Sequence, residues 1–290
     1  FKLKMNHPSS GHSIKLEIPE LKFIAKYQTN SFGVIEENIK INPQLWSPAS
    51  PKLYEVIISS NAETISDVIG FRSIQTQGQK IFLNNREIRF KGIAMHSEPI
   101  GIPGPAFSTD HFKHLLTTAQ DLNVNFIRAA HYPYTRHLAK VADQMGLMLW
   151  EEVPVYWNID WDNPETLKIA KNQISRLVQR DQNRSSVVVW SVANETPLSS
   201  SRMKFLQSLL SEIEINDASR LTTAALLSGS EEQFRSLSLV LALQGAKSKW
   251  VEPKEKAIFS AILDQANISI EDELSFSLSI DDPLGESIDL

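Results

Sequence analysis

The stretch VVVWSVANETP, residues 187–197, delivers an amide and a carboxylate, Asn194 and Glu195, at the end of an apolar run. A carboxyl flanked by Trp190 and Pro197 is expected to be partly desolvated, and a desolvated carboxyl keeps its proton to higher pH, as a general acid must. Asn194 carries a donor and an acceptor on one side chain, suited to a hydroxyl beside the bond being cut. Cleaving a glycosidic bond takes such an acid and a second carboxylate across the anomeric carbon. A lone Asn-Glu pair is more often a strand-end ion pair, so the rest of the chain has to decide.

Further polar groups gather where other strands should end: His96 and Glu98, Arg128 and His131, Glu151 and Glu152. His131 stands in RAAHYPYT, where Pro133 imposes a turn that could aim the ring inward; by itself it reads first as a structural histidine. Arg128 is expected to neutralise carboxylates near it. Glu151 and Glu152 are neighbours, so on a strand they leave opposite faces, and alternation does not choose between them. Trp150, Tyr156, Trp157 and Trp161 are either core or a stacking platform for sugar faces, and both readings stay open. A metal-dependent hydrolase using His96, Glu98 and His131 lacks any His-x-His or His-Glu-x-x-His spacing, so neither metal nor cofactor is expected.

The elements that must position these groups fall into two parts. Residues 1–80 hold short, partly alternating segments such as IKLEIPE, GVIEENIKI, LYEVIISS and FRSIQTQ, broken by Pro, Asn, Ser and Gly. NPQLWSPASPKLY has three prolines in nine residues and is a loop. An immunoglobulin-like β-sandwich fits this spacing. Residues 81–290 change rhythm. EIRFKGIAMH is one strand; a helix capped by Thr109 or Asp110 follows, with Phe112, Leu115, Leu116, Ala119 and Leu122 on its apolar face. VNFIRAAHYP, LMLWEEVP, SVVVWSVANE and RLTTAALL read as strands. Helices are predicted over TRHLAKVADQMG, from Pro164 to about Arg180, and over 199–215.

Near-continuous apolar strands alternating with helices imply a parallel sheet. Polar residues at successive strand ends favour a (β/α)8 barrel, and GIPGPAF is no phosphate-binding glycine turn of a doubly wound sheet. Five βα steps are clear where a barrel needs eight. Residues 228–280 show no firm pattern, although NISIEDELSFSLSI alternates like an exposed strand. IDDPLGESIDL begins a sixth strand, after which the barrel is expected to be truncated.

The 290 residues are 42% hydrophobic and 22% charged, with a net charge of −5, which is ordinary for a globular chain. No basic stripe points to nucleic acid, and no apolar run is long enough for a membrane helix. Without cysteine there is neither a disulfide framework nor a thiolate metal site. The chain starts at Phe1 and FKLKMNHPSS lacks the apolar core of a signal peptide, so an excerpt of a longer protein is expected. Its location stays open, periplasmic or secreted included.

The motifs LWSPASPKLY, GFRSI, IFLNNREIRFKGIAMHSE, NFIRAAHYPY, DQMGLMLWEEVP and RDQNRSSVVVWSVANE occur in the order and spacing of glycoside hydrolase family 2, the β-galactosidase and β-glucuronidase group. The chain resembles that family over about residues 40–227, and weakly again over the last eleven. The resemblance implies a retaining exo-β-glycosidase with Glu195 as acid/base and Asn194 on the sugar 2-hydroxyl. It implies that His131 and Glu98 contact the sugar, with His96 beside them in an HSE variant of the family's His-Glu-Asp motif, and it selects Glu152 over Glu151 as the acid facing the site. The family's nucleophilic glutamate ends a later strand before an aromatic residue and a glycine. None of the nine glutamates from Glu212 to Glu286 has that context. The nucleophile and the family's N-terminal jelly-roll domain are therefore expected outside this chain, which alone should be inactive. A terminal β-galactoside is the favoured substrate, and the intact protein could be a homo-oligomer. The alternative is a non-catalytic carbohydrate-binding or interaction module derived from a glycosidase.

Overall fold

Period-two alternation builds the first part of the chain. In the computed structural model, which describes residues 1–6, 11–157, 159–226, 231–274 and 283–289, Ile14, Leu16 and Ile18 are buried on one face of a strand while Lys15 and Glu17 face outward. The strands are β1 (Lys2–Lys4), β2 (Ser13–Ile18), β3 (Phe23–Gln28), β4 (Val34–Glu36), β5 (Tyr54–Ser59), β6 (Thr64–Ile69), β7 (Ile74–Gln77), β8 (Lys80–Leu83) and β9 (Arg86–Ile88). They form antiparallel sheets ordered β3-β2-β5-β6 and β1-β4, the β-sandwich part of the fold, and a separate sheet β7-β8-β9 that leads into the next part. The proline-rich stretch before β5 makes no strand. It is fixed instead by Trp46, which is fully buried and donates its indole N–H to the Asp143 carbonyl at 2.8 Å.

EIRFKGIAMH, expected as one strand, is two: β9 and then β10 (Gly92–Met95) in a different, parallel sheet. The division has a local cause. Asn125 accepts from the Lys91 amide through Oδ1 at 2.8 Å and donates to the Arg89 carbonyl at 3.0 Å, taking backbone groups that a continuous strand would pair. Phe90 stacks on Phe126 with ring centroids 4.0 Å apart, which fixes the crossing.

From there strand and helix alternate: α1 (Thr109–Asp121), β11 (Phe126–Ala129), α2 (His137–Met145), β12 (Met148–Glu152), α3 (Pro164–Asp181), β13 (Val187–Asn194), α4 (Ser200–Asn216) and β14 (Leu221–Ala225). The five strands of the sheet follow in the order β10-β11-β12-β13-β14, and all eight residues of β13 are buried, as a covered parallel strand requires. This is the βα rhythm of a partial (β/α)8 barrel, following the sandwich in the chain.

Helix boundaries obey local chemistry. The cap of α1 is Ser108, whose hydroxyl accepts from the His111 amide at 3.2 Å, and not Thr109 or Asp110. Phe112, Leu116 and Ala119 are its buried stripe, while Leu122 lies past the end and is exposed. Asn163 caps α3 by accepting from the Glu165 amide at 2.9 Å. Gly146 ends α2 at φ 73°, and a Cβ there would come within 2.5 Å of the Pro48 carbonyl oxygen, so only glycine fits.

The chain forms two compact units: Phe1–Glu152 with Arg176–Trp190 and Asn216–Leu221, and Val153–Ser175 with Ser191–Ile215 and Thr222–Leu290. The core of the first joins Trp46, Ile74, Leu83, Phe126, Met148, Val188, Val189 and Leu221. The second contains α5 (Glu231–Lys247) and α6 (Pro253–Gln265) in the region that showed no sequence pattern. These helices bury Ala242, Leu243 and Ala246 against Leu263, with Phe259 and Ile268 alongside. The expected exposed strand at NISIEDELSFSLSI is not formed over residues 267–274, and 275–280 lie outside the described residues. The expected sixth strand is not formed over residues 283–289, where Pro283–Ser287 is a 3₁₀ helix; residues 280–282 and 290 lie outside the described residues, whose parallel sheet has five strands. Gly285 and Pro283 suit such a turn and not a strand interior.

Candidate active site

In the first unit β11 and β12 pair in register, Ala129 opposite Glu151, and a polar cluster forms around the last residue of β12. Glu152, 1% exposed, accepts from Arg128 Nε at 2.8 Å and Nη2 at 3.0 Å, a two-pronged bond, and from the Trp150 indole at 2.7 Å. His131 sets Nδ1 2.6 Å from Glu152 Oε1, a hydrogen bond in the tautomer with its proton on Nδ1. Arg128 also lies over the Trp150 ring, 4.8 Å from its centroid. A buried carboxyl is thus surrounded by donors and one fixed cation, and its bond to Nδ1 locks the His131 ring in place.

His131 follows a cis peptide bond from Ala130. Its ring meets the His96 ring edge to face, with centroids 5.4 Å apart. Tyr132 links this group to the HSE motif: its hydroxyl is 3.0 Å from Ser97 Oγ and donates to Glu98 Oε1 at 3.3 Å. Tyr132 was not singled out by its type, although it stands inside the His-Tyr-Pro turn. Beneath it Tyr134 donates to the Met95 and Ala130 carbonyls, and burial pushes its phenol far above the ordinary tyrosine range. His96, Glu98, His131 and Glu152 are therefore members of one connected group. Glu151 leaves β12 on the other face, away from it.

Asn194 and Glu195 belong to the second unit. Asn194 is 5% exposed and its backbone is held on both sides: its amide donates to the Val155 carbonyl at 2.8 Å, and its carbonyl accepts from the Trp157 amide at 3.1 Å. Glu195 donates its amide to the Ala225 carbonyl at 2.7 Å and turns into the left-handed region at φ 51°. That conformation costs a non-glycine residue on the order of 1 kcal/mol and marks the end of the strand. It also swings the carboxylate outward. Glu195 is exposed, which corrects the expectation of a desolvated carboxyl: Pro197 is buried, and the Trp190 indole is engaged with Asp217 at 3.0 Å.

The carboxylate is met there by the Trp157 indole N–H, which donates to Oε2 at 3.3 Å. Trp157 itself holds φ 56°, and Trp157 and Tyr156 are 58% and 44% exposed. Two large aromatic faces are therefore displayed beside an exposed carboxylate. Trp161 packs edge-on against Phe205 at 5.3 Å and Trp150 belongs to the Glu152 cluster, so the aromatic run divides between packing and display. Arg202, fully buried at the start of α4, donates through Nε to Thr196 Oγ1 at 2.9 Å and anchors the residue following Glu195. Among the described residues no group of three or more histidines, cysteines or acids is placed to hold a metal ion.

Two family models match the chain: "Glycosyl hydrolases family 2" over residues 2–72, and "Glycosyl hydrolases family 2, TIM barrel domain" over residues 74–238. A β-galactosidase of Arthrobacter sp. (strain B7) is 31% identical over 160 residues, covering 52% of this chain and 16% of that protein. A β-glucuronidase of Paenibacillus borealis is 30% identical over 171 residues, covering 53% of this chain and 28% of its own. Among solved structures, the family 2 β-galacturonidase of Eisenbergiella tayi bound to galacturonate superposes with a TM-score of 0.68 at 24% identity, covering 80% of this chain and 43% of that one. The chain spans less than a third of the length of the curated relatives it matches.

Proposed function

The chain belongs to glycosyl hydrolases family 2, and on that premise we propose that it carries the acid/base part of a retaining exo-β-glycosidase. The observation that carries this reading is Glu195 itself: a carboxylate lifted out of the end of a buried strand by a left-handed turn, preceded by a buried Asn194 and met by the Trp157 indole. An exposed carboxyl on a fixed backbone can exchange its proton with a leaving oxygen and then with water, as a retaining mechanism asks of one residue in turn. Asn194 takes the sugar 2-hydroxyl, and His131, Glu98, His96 and Glu152 serve the ring hydroxyls. The substrate is a terminal β-linked sugar, galactosides first, with hexuronides as the competing class because the relatives include both β-galactosidases and β-glucuronidases.

The second carboxylate, the nucleophile, is supplied from outside these 290 residues, so this chain alone does not complete the covalent step. The test is labelling with a panel of 2-deoxy-2-fluoro glycosides followed by intact-mass measurement. No adduct is expected on this chain, whereas a protein continuing past Leu290 should take up one sugar on a later glutamate. One sugar bound covalently to Glu271, Glu273 or Glu286 of this chain would sink the reading.

A further inference from the structure

Glu151 stands between Trp150 and Glu152 on β12, and its side chain leaves the strand opposite the Glu152 cluster. It is 1% exposed, and neither carboxyl oxygen meets a hydrogen-bond donor. The charged groups facing it are Asp181 and Arg180 at the end of α3 and Arg220 just before β14. Arg180 is committed elsewhere: Nε donates to Asp181 Oδ2 at 2.6 Å, Nη2 pairs with the same oxygen, and Nη1 donates to the Tyr134 carbonyl at 2.7 Å. Arg220 is held by Asp217 at 2.5 Å and by the carbonyls of Gln182 and Arg184 at 2.7 and 2.8 Å. Asp181, 1% exposed, is left as the neighbour of Glu151, one acceptor beside another.

Two carboxylates cannot hydrogen-bond to each other without a proton, and an ionised group buried with no donor is strongly disfavoured. One proton between them turns the repulsion into a short, charge-assisted O–H···O bond, with Arg180 balancing the remaining charge. We propose that Glu151 keeps its proton and donates it to Asp181 behind β12, and that this proton fixes the end of the strand and so positions Glu152 with Arg128 and His131 on its other face. Glu151 is then a positioning residue for that cluster, and raising the pH is the way to disturb it.

Burial first, and the charge of Asp181 second, push the Glu151 carboxyl well above the usual range, with Arg180 opposing. A carboxyl raised in the folded state binds more protons folded than unfolded, so its contribution falls as pH rises from about 4.3, the ordinary glutamate value, to its folded value. The experiment is thermal melting of this chain and of Glu151→Gln from about pH 5 upward, with the Arg128 Nε–H resonance followed by NMR, because that hydrogen lies on Glu152. The wild-type Tm should fall relative to the variant as pH rises, and the Arg128 signal should shift with the same midpoint in the wild type alone. Parallel Tm curves, or an Arg128 signal that shifts alike in both, would overturn the proposal. Should Glu151→Gln fail to fold, Asp181→Asn offers Glu151 a donor in place of a repelling charge. The Glu151 side-chain carbon should then titrate at lower pH than in the wild type, and an unchanged midpoint would overturn the proposal equally.

Discussion

Glu152 is the last residue of β12 and Glu195 the first after β13, yet their surroundings are opposite. Glu152 is buried and takes bonds from Arg128, Trp150 and His131; Glu195 is exposed and takes one long bond from an exposed indole. The backbone explains the difference. β12 stays extended through Glu152, so the side chain remains within the layer of its neighbours, whereas Glu195 rotates to φ 51° and is thrown clear. Glu152 is surrounded by donors in advance, whereas Glu195 is left accessible, as the proposed proton exchange would require. The contrast predicts very different responses to substitution.

The largest response is expected at Arg128. Arg128→Ala removes the cation and two of the donors from a carboxylate that is 1% exposed, leaving a buried charge with the indole and the imidazole alone. Breaking a buried pair in this way costs about 3–5 kcal/mol. Urea unfolding monitored at several wavelengths measures it, and a loss below about 1 kcal/mol, the range of exposed pairs, would mean that Glu152 is far wetter than described.

Trp150→Phe isolates one donor. It keeps most of the ring under Arg128 but deletes the indole N–H that reaches Glu152 at 2.7 Å. A hydrogen bond to a charged group contributes about 1.5–3 kcal/mol, so the expected loss lies in that range and below that of Arg128→Ala. A double-mutant cycle between the two sharpens the comparison, because both donors serve one carboxylate and their losses should not add.

What the sequence disclosed follows the same division between regular and local causes. The strands and helices from α1 to β14 were readable because burial imposes periodicity, and VVVW in β13 announces a covered strand before any coordinate is known. The break at Arg89–Lys91 was hidden, because one asparagine side chain thirty-four residues after Lys91 causes it. The helices α5 and α6 were hidden for another reason. Their contact uses small residues, Ala242 and Ala246, facing Leu263, which gives a weak apolar stripe among serines and charges. Among the candidate residues, motif order named His96, Glu98, His131 and Glu152, which the first unit brings into one polar cluster, and Asn194 and Glu195 in the second, but exposure was misread for Glu195. Flanking Trp190 and Pro197 suggest a dry carboxyl only if the strand continues straight, and the left-handed turn is a property of φ that neighbouring residue types do not encode. Tyr132 was passed over because nothing in its type distinguishes a linker from a packing residue.

The smallest response is expected at Glu195, and it is the most telling. Glu195→Gln leaves the backbone as it is: the amide still reaches the Ala225 carbonyl, and glutamine tolerates φ 51° no better and no worse than glutamate. The side chain gives up one contact of 3.3 Å to an indole that is itself 58% exposed, and the amide oxygen can accept the same bond. Stability should therefore change by less than about 0.5 kcal/mol, as for most exposed substitutions. If the proposed role is right, the same change in an active, longer protein should lower kcat by orders of magnitude, because an amide cannot carry the proton. Stability and turnover would then separate completely at Glu195. A loss of more than about 1 kcal/mol at this position would mean that Glu195 is held as firmly as Glu152, and the distinction between a prepared carboxylate and an accessible one would fail.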